Sequence, residues 1–486
     1  MAPLDWDSCT RALEARDARF DGVFFVGISS TGIYCRPICP ARATLRRNRR
    51  FFANAAAAER AGYRPCLRCR PELAPGFARV DAVPRLAQSA AARIAAGALN
   101  GKSVDALARE LGVTGRQLRR ALERELGVSP IELAQTHRLL LAKHLLTDTR
   151  LPMSQVAYAS GFQSLRRFNA LFRSRYHLNP AALRRRNAAP DRPTDEIVRL
   201  TLGYRPPLDW AALIAFLGAR ATPGVERVDA SSYTRTARIG KHTGVVRVSP
   251  VEARASGSAL RLEVGASLVP ALVELRVCVR QLFDLDAEPS AIEAHLSAAK
   301  LPVGKLRRGL RVPGAFDGFE LAVRAILGQQ VTVKGATTLM ARLTESFGES
   351  VDVGDESLTR LSVTADRLGD AGTNRIKSIG LPTARAQTLF VLAQQVAKGE
   401  LRFEPDANVA AIVRQLLEIP GVGAWTAEYI AMRALHWPDA FPSGDLVLRR
   451  HAGDLTAAQL RKAAERWRPW RAYAAMQLWM RSVAPA

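Results

Sequence analysis

The most regular hydrophobic pattern lies between residues 100 and 180, where it describes two similar pairs of helices. In the first pair, apolar residues recur every three or four positions on either side of Gly112, at Val104, Leu107, Ala108 and Leu111 and then at Leu118, Ala121 and Leu122. The second pair repeats this arrangement around Gly161, with Val156, Ala157, Leu165, Phe168 and Phe172. Such spacing places apolar side chains on one face of a helix, and a glycine lets the chain turn. The pattern predicts two helix-turn-helix units.

The two units are similar in sequence as well. Leu118-Arg119-Arg120 and Leu165-Arg166-Arg167 match at an offset of 47 residues, and the units end at Ser129-Pro130 and Asn179-Pro180. A helix over about residues 131–146 would connect them. Two such units can address successive faces of the DNA major groove. We expect contacts with DNA from arginines on the second helices, where a solvated surface charge is an equally good interpretation for each one: Arg116, Arg119, Arg120, Arg166 and Arg167.

The pattern changes after a polar linker at residues 187–193. Alternating apolar residues predict strands at Val245–Val248 and Leu260–Val264, and helical spacing returns from about Phe319. We therefore expect a multidomain protein, mainly α with small α+β parts. Its predicted domains are a cysteine-containing head (residues 1–78), the helix-turn-helix domain (84–187), an α/β subdomain (195–312) and a helical domain (313–486).

Composition and charge narrow the classes of function. The 486 residues include 70 Lys and Arg against 45 Asp and Glu, a net charge of +25. Residues 1–190 hold 32 of these basic and 14 acidic residues, so +18 of the surplus lies there. A surplus of this size indicates nucleic-acid binding or, alternatively, a generally arginine-rich proteome, and its concentration in residues 1–190 favours DNA binding. No apolar run is long enough to cross a membrane and no signal core follows Met1, so we expect a cytoplasmic, nucleoid-associated protein.

Four of the six cysteines form two close pairs, Cys35/Cys39 and Cys66/Cys69, separated by 26 residues. Two such pairs can supply the four thiolates of a tetrahedral zinc site. Unrelated buried thiols are the alternative. Because thiolates held by a metal stay deprotonated, this set could also act as a nucleophile.

The residues around these cysteines resemble the zinc-binding domain of the Ada family of adaptive-response regulators. The similarity runs through Thr31-Gly32-Ile33-Tyr34-Cys35-Arg36-Pro37-Ile38-Cys39-Pro40-Ala41-Arg42 and Gly62-Tyr63-Arg64-Pro65-Cys66-Leu67-Arg68-Cys69. It implies that Cys35 both binds zinc and accepts a methyl group from a methylphosphotriester in DNA. It also implies contacts with the DNA backbone from Thr31, Arg42 and Arg64. The tandem helices that follow resemble the AraC-type domain of the same family, which implies promoter binding and contact with RNA polymerase.

A second DNA-binding signal lies near the carboxyl end. Ile419-Pro420-Gly421-Val422-Gly423 separates two helical segments, and Asp445 follows Gly423 by 22 residues. Gly421 and Gly423 would let backbone N–H groups at a helix start approach a phosphate. A plain turn between helices is the alternative.

This hairpin and its downstream aspartate resemble the helix-hairpin-helix glycosylases. The sequences Gly203-Tyr204-Arg205-Pro206-Pro207-Leu208-Asp209-Trp210 and Arg324-Ala325-Ile326-Leu327-Gly328-Gln329-Gln330 are similar to 3-methyladenine DNA glycosylase II, the AlkA type. The resemblance implies that Asp445 drives excision of a flipped alkylpurine. It also implies that Trp425, Tyr429 and Trp479 line the cleft for the base, where ordinary core packing is the alternative.

Three departures from the family patterns bear on the activity. The Pro-Cys-His-Arg motif of the second Ada methyltransferase is absent. Relatives that also nick the strand use a lysine nucleophile. This chain has Trp425 at that position, so we expect a monofunctional glycosylase. Gln330 stands where close relatives insert a leucine into the base stack, so the resemblance does not determine which lesions are excised.

The sequence as a whole predicts a fusion of a methyl-accepting zinc sensor, a promoter-binding activator and an alkylpurine glycosylase. A transcriptional regulator with a catalytically inactive C-terminal domain is the alternative, and a purely structural zinc-containing DNA binder is a third. Expected partners are alkylated and promoter DNA, with zinc as the one cofactor and a monomer as the form in solution.

Overall fold

A computed structural model describes residues 5–41, 44–76, 85–186, 197–254, 257–403 and 408–482. Within these ranges, no helix combines the length and the apolar character needed to cross a bilayer. The described residues fold into consecutive helical and mixed units, as the sequence predicts, and form two small sheets.

The head is built on a four-stranded sheet of order β3-β1-β2-β4, with β1 and β3 antiparallel and β2 and β4 parallel. All four residues of β1 are buried, because helices and loops cover both faces of this central strand. The elements are α1 (Trp6–Glu14), β1 (Phe25–Ile28), β2 (Ile33–Cys35), β3 (Arg49–Phe52), α2 (Ala55–Arg60) and β4 (Arg64–Pro65).

The two predicted helix-turn-helix units are confirmed. Their turns contain Gly112 (φ +69°) and Gly161 (φ +89°), in the left-handed region that glycine adopts without strain. The connecting helix, predicted over 131–146, is buried on most of its sides because it packs between both units and the head. The helices are α3 (Arg85–Ala95), α4 (Val104–Glu110), α5 (Gly115–Leu126), α6 (Pro130–Asp148), α7 (Met153–Ala159), α8 (Leu165–Tyr176) and α9 (Pro180–Arg186).

The next unit contains an antiparallel sheet of order β5-β9-β8-β7-β6. Both predicted strands form and pair with each other, with Val246 opposite Val264 and Val248 opposite Leu262. These four side chains are buried beneath helices on one face of the sheet. The elements are β5 (Ile197–Gly203), α10 (Trp210–Gly218), β6 (Glu226–Val228), β7 (Tyr233–Ile239), β8 (His242–Arg254), β9 (Gly257–Gly265), α11 (Leu272–Leu282) and α12 (Pro289–Ala298).

The remaining residues form a helical domain around the largest hydrophobic core of the described chain. The hairpin predicted at Pro420-Gly421 joins α17 to α18, and Asp445 begins α19. The helices are α13 (Gly318–Leu327), α14 (Val333–Phe347), α15 (Ala365–Lys377), α16 (Thr383–Ala397), α17 (Val409–Glu418), α18 (Ala424–Arg433), α19 (Leu446–His451), α20 (Ala457–Ala464) and α21 (Arg471–Trp479).

A buried arginine joins the head to the α/β unit. Arg205, 2% exposed, donates hydrogen bonds to the carbonyl oxygens of Asp21 (3.0 Å), Gly76 (2.8 Å) and Asp286 (2.7 Å). The Gly76 N–H in turn donates to the Asp286 carboxylate at 2.6 Å. Since an unpaired buried guanidinium is costly, this contact fixes the two units against each other.

Two buried carboxylates join the head to the helix-turn-helix domain. Glu72 pairs with Lys143 of α6 at 2.6 Å, and both side chains are about 2% exposed or less. Glu59 accepts hydrogen bonds from the hydroxyls of Tyr34 (3.0 Å), Thr136 (2.8 Å) and Tyr176 (3.1 Å). Head and helix-turn-helix domain therefore share a polar interface as well as apolar contacts.

Candidate active site and metal centre

The four paired cysteines lie together at one end of the head sheet. Because β2 and β4 are parallel, with Tyr34 beside Pro65, the chain brings Cys35 next to Cys66. The two remaining cysteines follow in the turns after each strand, and the four sulfur atoms all lie within 4.8 Å of one another. Tetrahedral zinc–thiolate geometry separates sulfurs by about 3.8 Å, so small side-chain adjustments suffice. The set is suited to one zinc ion.

Backbone N–H groups support the thiolates of this cluster. Arg36 N–H donates to Cys69 Sγ at 3.3 Å, and Arg68 N–H donates to Cys66 Sγ at 3.4 Å. The Arg36 side chain is itself buried and paired with Asp21. Cys69 has no exposed surface, whereas Cys35 keeps 8%. Cys9 and Cys278 lie outside the cluster.

Two of the three residues expected to contact DNA from the head, Thr31 and Arg64, lie at the turn between β1 and β2. Thr31 is exposed in the turn before β2, and Arg64 lies beside this turn, with its N–H donating to Gly32 O at 2.9 Å. Arg42, the third residue of this group, lies outside the described residues.

The five arginines expected to contact DNA from the recognition helices are all exposed. Arg116, Arg119 and Arg120 lie in the first two turns of α5, and Arg166 and Arg167 begin α8. Arg119 approaches Asp105 at 3.6 Å, a surface pair that holds it weakly. The arrangement leaves these side chains accessible to a duplex.

The Asp445 carboxylate receives four hydrogen bonds. Its Oδ1 accepts from the backbone N–H groups of Val447 and Leu448, both at 3.0 Å, which makes Asp445 the N-cap of α19. The indole Nε1 of Trp479 donates to Oδ1 at 3.1 Å, and that of Trp425 donates to Oδ2 at 3.0 Å. These bonds fix the carboxylate between two aromatic side chains.

The three aromatic residues expected at the cleft form one surface beside this carboxylate. Trp425 and Tyr429, one helical turn apart on α18, stack with ring centroids 5.3 Å apart at 14°. Trp479, at the end of α21, packs against Tyr429 at 6.2 Å. Both tryptophans are half-buried, so part of each side chain remains exposed to solvent. The structure thus brings together all four residues that sequence comparison assigned to base excision.

Arginines near Tyr429 extend this site, and the sequence did not identify them as site residues. Arg433 Nη1 donates to the Tyr429 hydroxyl at 2.8 Å, and its guanidinium lies 5.0 Å from the Phe216 ring. Arg220 covers the same ring at 3.7 Å. Phe216 and Arg220 belong to α10 and its end, about 200 residues before Tyr429, so no local motif links them. The spacing of Tyr429 and Arg433, one helical turn, is the only available signal.

The hairpin before α18 is shaped by one of its two glycines. Gly421 has φ +91°, and a Cβ there would lie 2.3 Å from Thr388 Oγ1, so both conformation and space require glycine. Gly423 has an ordinary φ of −93° and open space around it. Its backbone is accessible at the start of α18.

The loop at Gln330 is tied to this hairpin. Gln329 Nε2 donates to Gly421 O and to Thr426 Oγ1, both at 2.9 Å. Gln330 itself is exposed and has φ +58°, an unusual conformation for a residue with a side chain. The loop therefore holds Gln330 outward on the side of the hairpin.

Four family models match the chain in this order: the metal binding domain of Ada (residues 8–72), a helix-turn-helix domain (107–186), the AlkA N-terminal domain (199–317) and the HhH-GPD superfamily of base excision DNA repair proteins (323–469). A probable bifunctional transcriptional activator/DNA repair enzyme AlkA of Mycobacterium tuberculosis is 38% identical over 98% of this chain and 96% of its own length. The chain belongs to this Ada/AlkA-type family.

Two further relatives each match one part of the Ada/AlkA-type chain. DNA-3-methyladenine glycosylase 2 of Escherichia coli is 37% identical over 57% of the chain and 96% of its own length. The Escherichia coli bifunctional transcriptional activator/DNA repair enzyme Ada is 50% identical over 14% of the chain and 19% of its own length. The predicted resemblances, the multidomain fold and the zinc-binding head are confirmed.

Proposed function

We propose that this Ada/AlkA-type protein excises alkylated purines from DNA and couples that repair to a methyl-accepting transcriptional sensor. The observation that carries the proposal is the Asp445 carboxylate, held by indole N–H groups from Trp425 and Trp479 at the edge of a stacked aromatic surface. The named activity of the relatives, 3-methyladenine DNA glycosylase, supports the same reaction class.

The chemistry of the leaving base matches this arrangement. A purine alkylated at N3 or N7 carries positive charge, so it leaves readily once the sugar can bear an oxocarbenium-like charge. Aromatic faces attract the cationic base, and a nearby carboxylate stabilises the developing charge at the sugar and orients water. In our proposal, Trp425, Tyr429 and Trp479 bind the base and Asp445 serves the sugar and water.

We infer a monofunctional glycosylase that leaves an abasic site. A strand-nicking relative would need a lysine where this chain has Trp425, and the Trp425 indole is already engaged with Asp445. Gly421 and Gly423 would hold the phosphate backbone, and Gln330 would enter the space that the flipped nucleotide vacates. Borohydride trapping of a covalent protein–DNA complex would contradict this inference.

The head is the proposed methyl acceptor. Zinc bound by Cys35, Cys39, Cys66 and Cys69 would keep the thiolates deprotonated. The Cys35 sulfur would form a bond to the methyl carbon while the methyl–oxygen bond of the phosphotriester breaks, leaving a thioether and a phosphodiester anion. Thr31, Arg42 and Arg64 would position the DNA backbone.

The helix-turn-helix domain would direct this sensor to promoters. Its exposed arginines (Arg116, Arg119, Arg120, Arg166 and Arg167) are placed on the recognition helices. Methylation of Cys35 removes one negative charge near the phosphates, which strengthens DNA binding. We propose that the methylated protein acts as a monomer and recruits RNA polymerase.

Two assays on the full-length protein test these proposals separately. Incubation with methylated DNA should release 3-methyladenine without strand cleavage, and release of no base would favour a regulator with an inactive C-terminal domain. With methylphosphotriester-labelled DNA, label should appear on the protein and not on the Cys35→Ala variant. Label on Cys35→Ala, or on neither protein, would contradict the sensor function.

A further inference from the structure

The Tyr429 hydroxyl lies in an unusual environment for a phenol. Within the described chain, its oxygen accepts a hydrogen bond from Arg433 Nη1 at 2.8 Å, and the Arg220 guanidinium lies close to it. Guanidinium groups donate hydrogen bonds and cannot accept them. Neither the Arg433 nor the Arg220 guanidinium can therefore accept the hydroxyl proton, although both can donate to the oxygen. Tyr429 is only 8% exposed, so solvent has little access to it.

The arginines around this hydroxyl are held in place by other contacts. Arg433, 3% exposed, donates to Pro313 O at 2.8 Å and to Gly314 O at 3.0 Å. Arg220 donates to Phe216 O at 3.1 Å. Arg324 of α13 is the third cation, and its Nη2 donates to Thr337 Oγ1 at 2.7 Å. Since these partners are neutral, they leave the positive charges uncompensated.

The acidic groups that face this region are engaged elsewhere. Glu320 of α13 pairs with Arg235 at 2.7 Å, and Glu226 of β6 also lies next to Arg235. Asp445, on the other side of the aromatic surface, receives two indole and two backbone N–H groups. Three guanidinium groups thus lie near this phenol, while the carboxylates of the region are already engaged.

Burial alone raises the pKa of a tyrosine, because it disfavours the charged form. Here Arg433, Arg220 and Arg324 outweigh burial and lower the pKa of Tyr429 to about 8. This shift favours the phenolate at slightly alkaline pH.

We propose that Tyr429 is an ionisable specificity residue: its phenolate, formed by loss of the hydroxyl proton to solvent and stabilised by Arg433, Arg220 and Arg324, selects positively charged purines over neutral ones. This inference rests on the proposed glycosylase function. A phenolate ring is richer in electrons than a phenol, so it stacks more favourably on a cation and gains nothing from an uncharged base. It also offsets the repulsion that the three arginines would exert on a cationic base.

The first test measures ionisation directly and needs no catalysis. Tyrosinate absorbance of the full-length protein is followed from pH 6 to 10, and the curve of Tyr429→Phe is subtracted. We expect a difference of one tyrosinate with a midpoint near 8. Tyr158→Phe, at an exposed tyrosine of α7, should leave this signal in place. Arg220→Gln should move the midpoint upward by about one pH unit, because one cation is lost.

The second test measures selectivity under single-turnover conditions. Release of 3-methyladenine, a cationic lesion, is compared with release of ethenoadenine, a neutral one. The ratio of the two rates should rise about eightfold between pH 7 and pH 8.5, following the phenolate fraction. Arg433→Lys, which keeps a cation beside the hydroxyl, should retain most of this rise, and Arg220→Gln should shift it to higher pH.

The outcomes separate this inference from the function on which it rests. Coincident absorbance curves for the parent and Tyr429→Phe below pH 9 would overturn the proposed ionisation. A ratio of the two release rates that does not change with pH would overturn the proposed selectivity. Release of neither base would contradict the glycosylase function instead, while the absorbance curves would still decide whether Tyr429 ionises.

Discussion

Replacing Asp445 by asparagine removes the charge at the proposed catalytic position and keeps its shape. An amide oxygen in the place of Oδ1 can still accept from Val447, Leu448 and Trp479. The amide nitrogen in the place of Oδ2 would face the Trp425 Nε1–H, which now lies 3.0 Å from Oδ2, with a donor opposite a donor. The substitution therefore costs one charge-assisted hydrogen bond and the carboxylate charge.

These two losses affect stability and catalysis to different degrees. One hydrogen bond to a charged group contributes about 2 kcal/mol, and asparagine remains a good N-cap, so the melting temperature should fall by about 4–8 °C. Loss of a preorganised electrostatic group at a developing charge costs about 10²–10³-fold in rate. We expect excision to fall at least this much in a protein that is still folded.

The assay is single-turnover release of 3-methyladenine, with melting followed on the same preparations. Asp317→Asn is the matched control, because Asp317 is also the N-cap of a helix, α13, and accepts from Glu320 N at 2.8 Å. An Asp445→Asn rate within about threefold of the parent rate would refute the reasoning on the carboxylate charge.

Three further experiments test other parts of the structure. Gly421→Ala should cost about 2 kcal/mol of stability and weaken duplex binding, whereas Gly423→Ala should change stability little. Thermal melting measures the stability of the two variants and filter binding measures their affinity for duplex DNA. Equal effects of the two substitutions would contradict the hairpin geometry. Burial raises the pKa of Glu59 to about 7, above its unfolded value, so its contribution to stability is complete below about pH 4 and is lost as pH rises through 7. Glu59→Gln should therefore melt higher than the parent above pH 7 and lose that advantage in acid; an advantage independent of pH would contradict the assignment. Lys143→Met should cost about 3 kcal/mol in urea unfolding because it leaves Glu72 buried without its lysine, and adding Glu72→Leu should recover part of the loss.

Local patterns were sufficient for most of the fold and for the metal cluster, whereas the aspartate and aromatic residues of the candidate active site were assigned from the family resemblance. Cysteine pairs with short spacers predicted the metal cluster, and the spacing of Trp425 and Tyr429 by one helical turn predicted that they share a face. Helical periodicity gave the connecting helix α6 to within two residues at each end. The residues within each cysteine pair, like Trp425 and Tyr429, lie within a few positions of one another, where backbone geometry determines their relation. The two cysteine pairs meet through the pairing of β2 with β4.

Contacts between distant segments could not be predicted in this way. Arg220 reaches Tyr429 from a helix more than 200 residues earlier, and nothing in its own segment distinguishes it from other surface arginines. Glu59 likewise sits in a short alanine-rich helix, yet it is buried against hydroxyl groups from two helices of the helix-turn-helix domain, α6 and α8. Such roles depend on how the units pack, and a single sequence does not contain that information in a local form.

The carbonyl acceptors of Arg205 bear on any attempt to exchange modules between such proteins. Two of its three acceptors, Asp21 O and Gly76 O, belong to the head, whereas the arginine itself belongs to the α/β unit. A truncated glycosylase half would expose that guanidinium to water together with the apolar surface around it. Fusing the glycosylase half to a different protein would therefore require redesign of the surface around Arg205. Separating the two halves at the linker would leave that surface exposed.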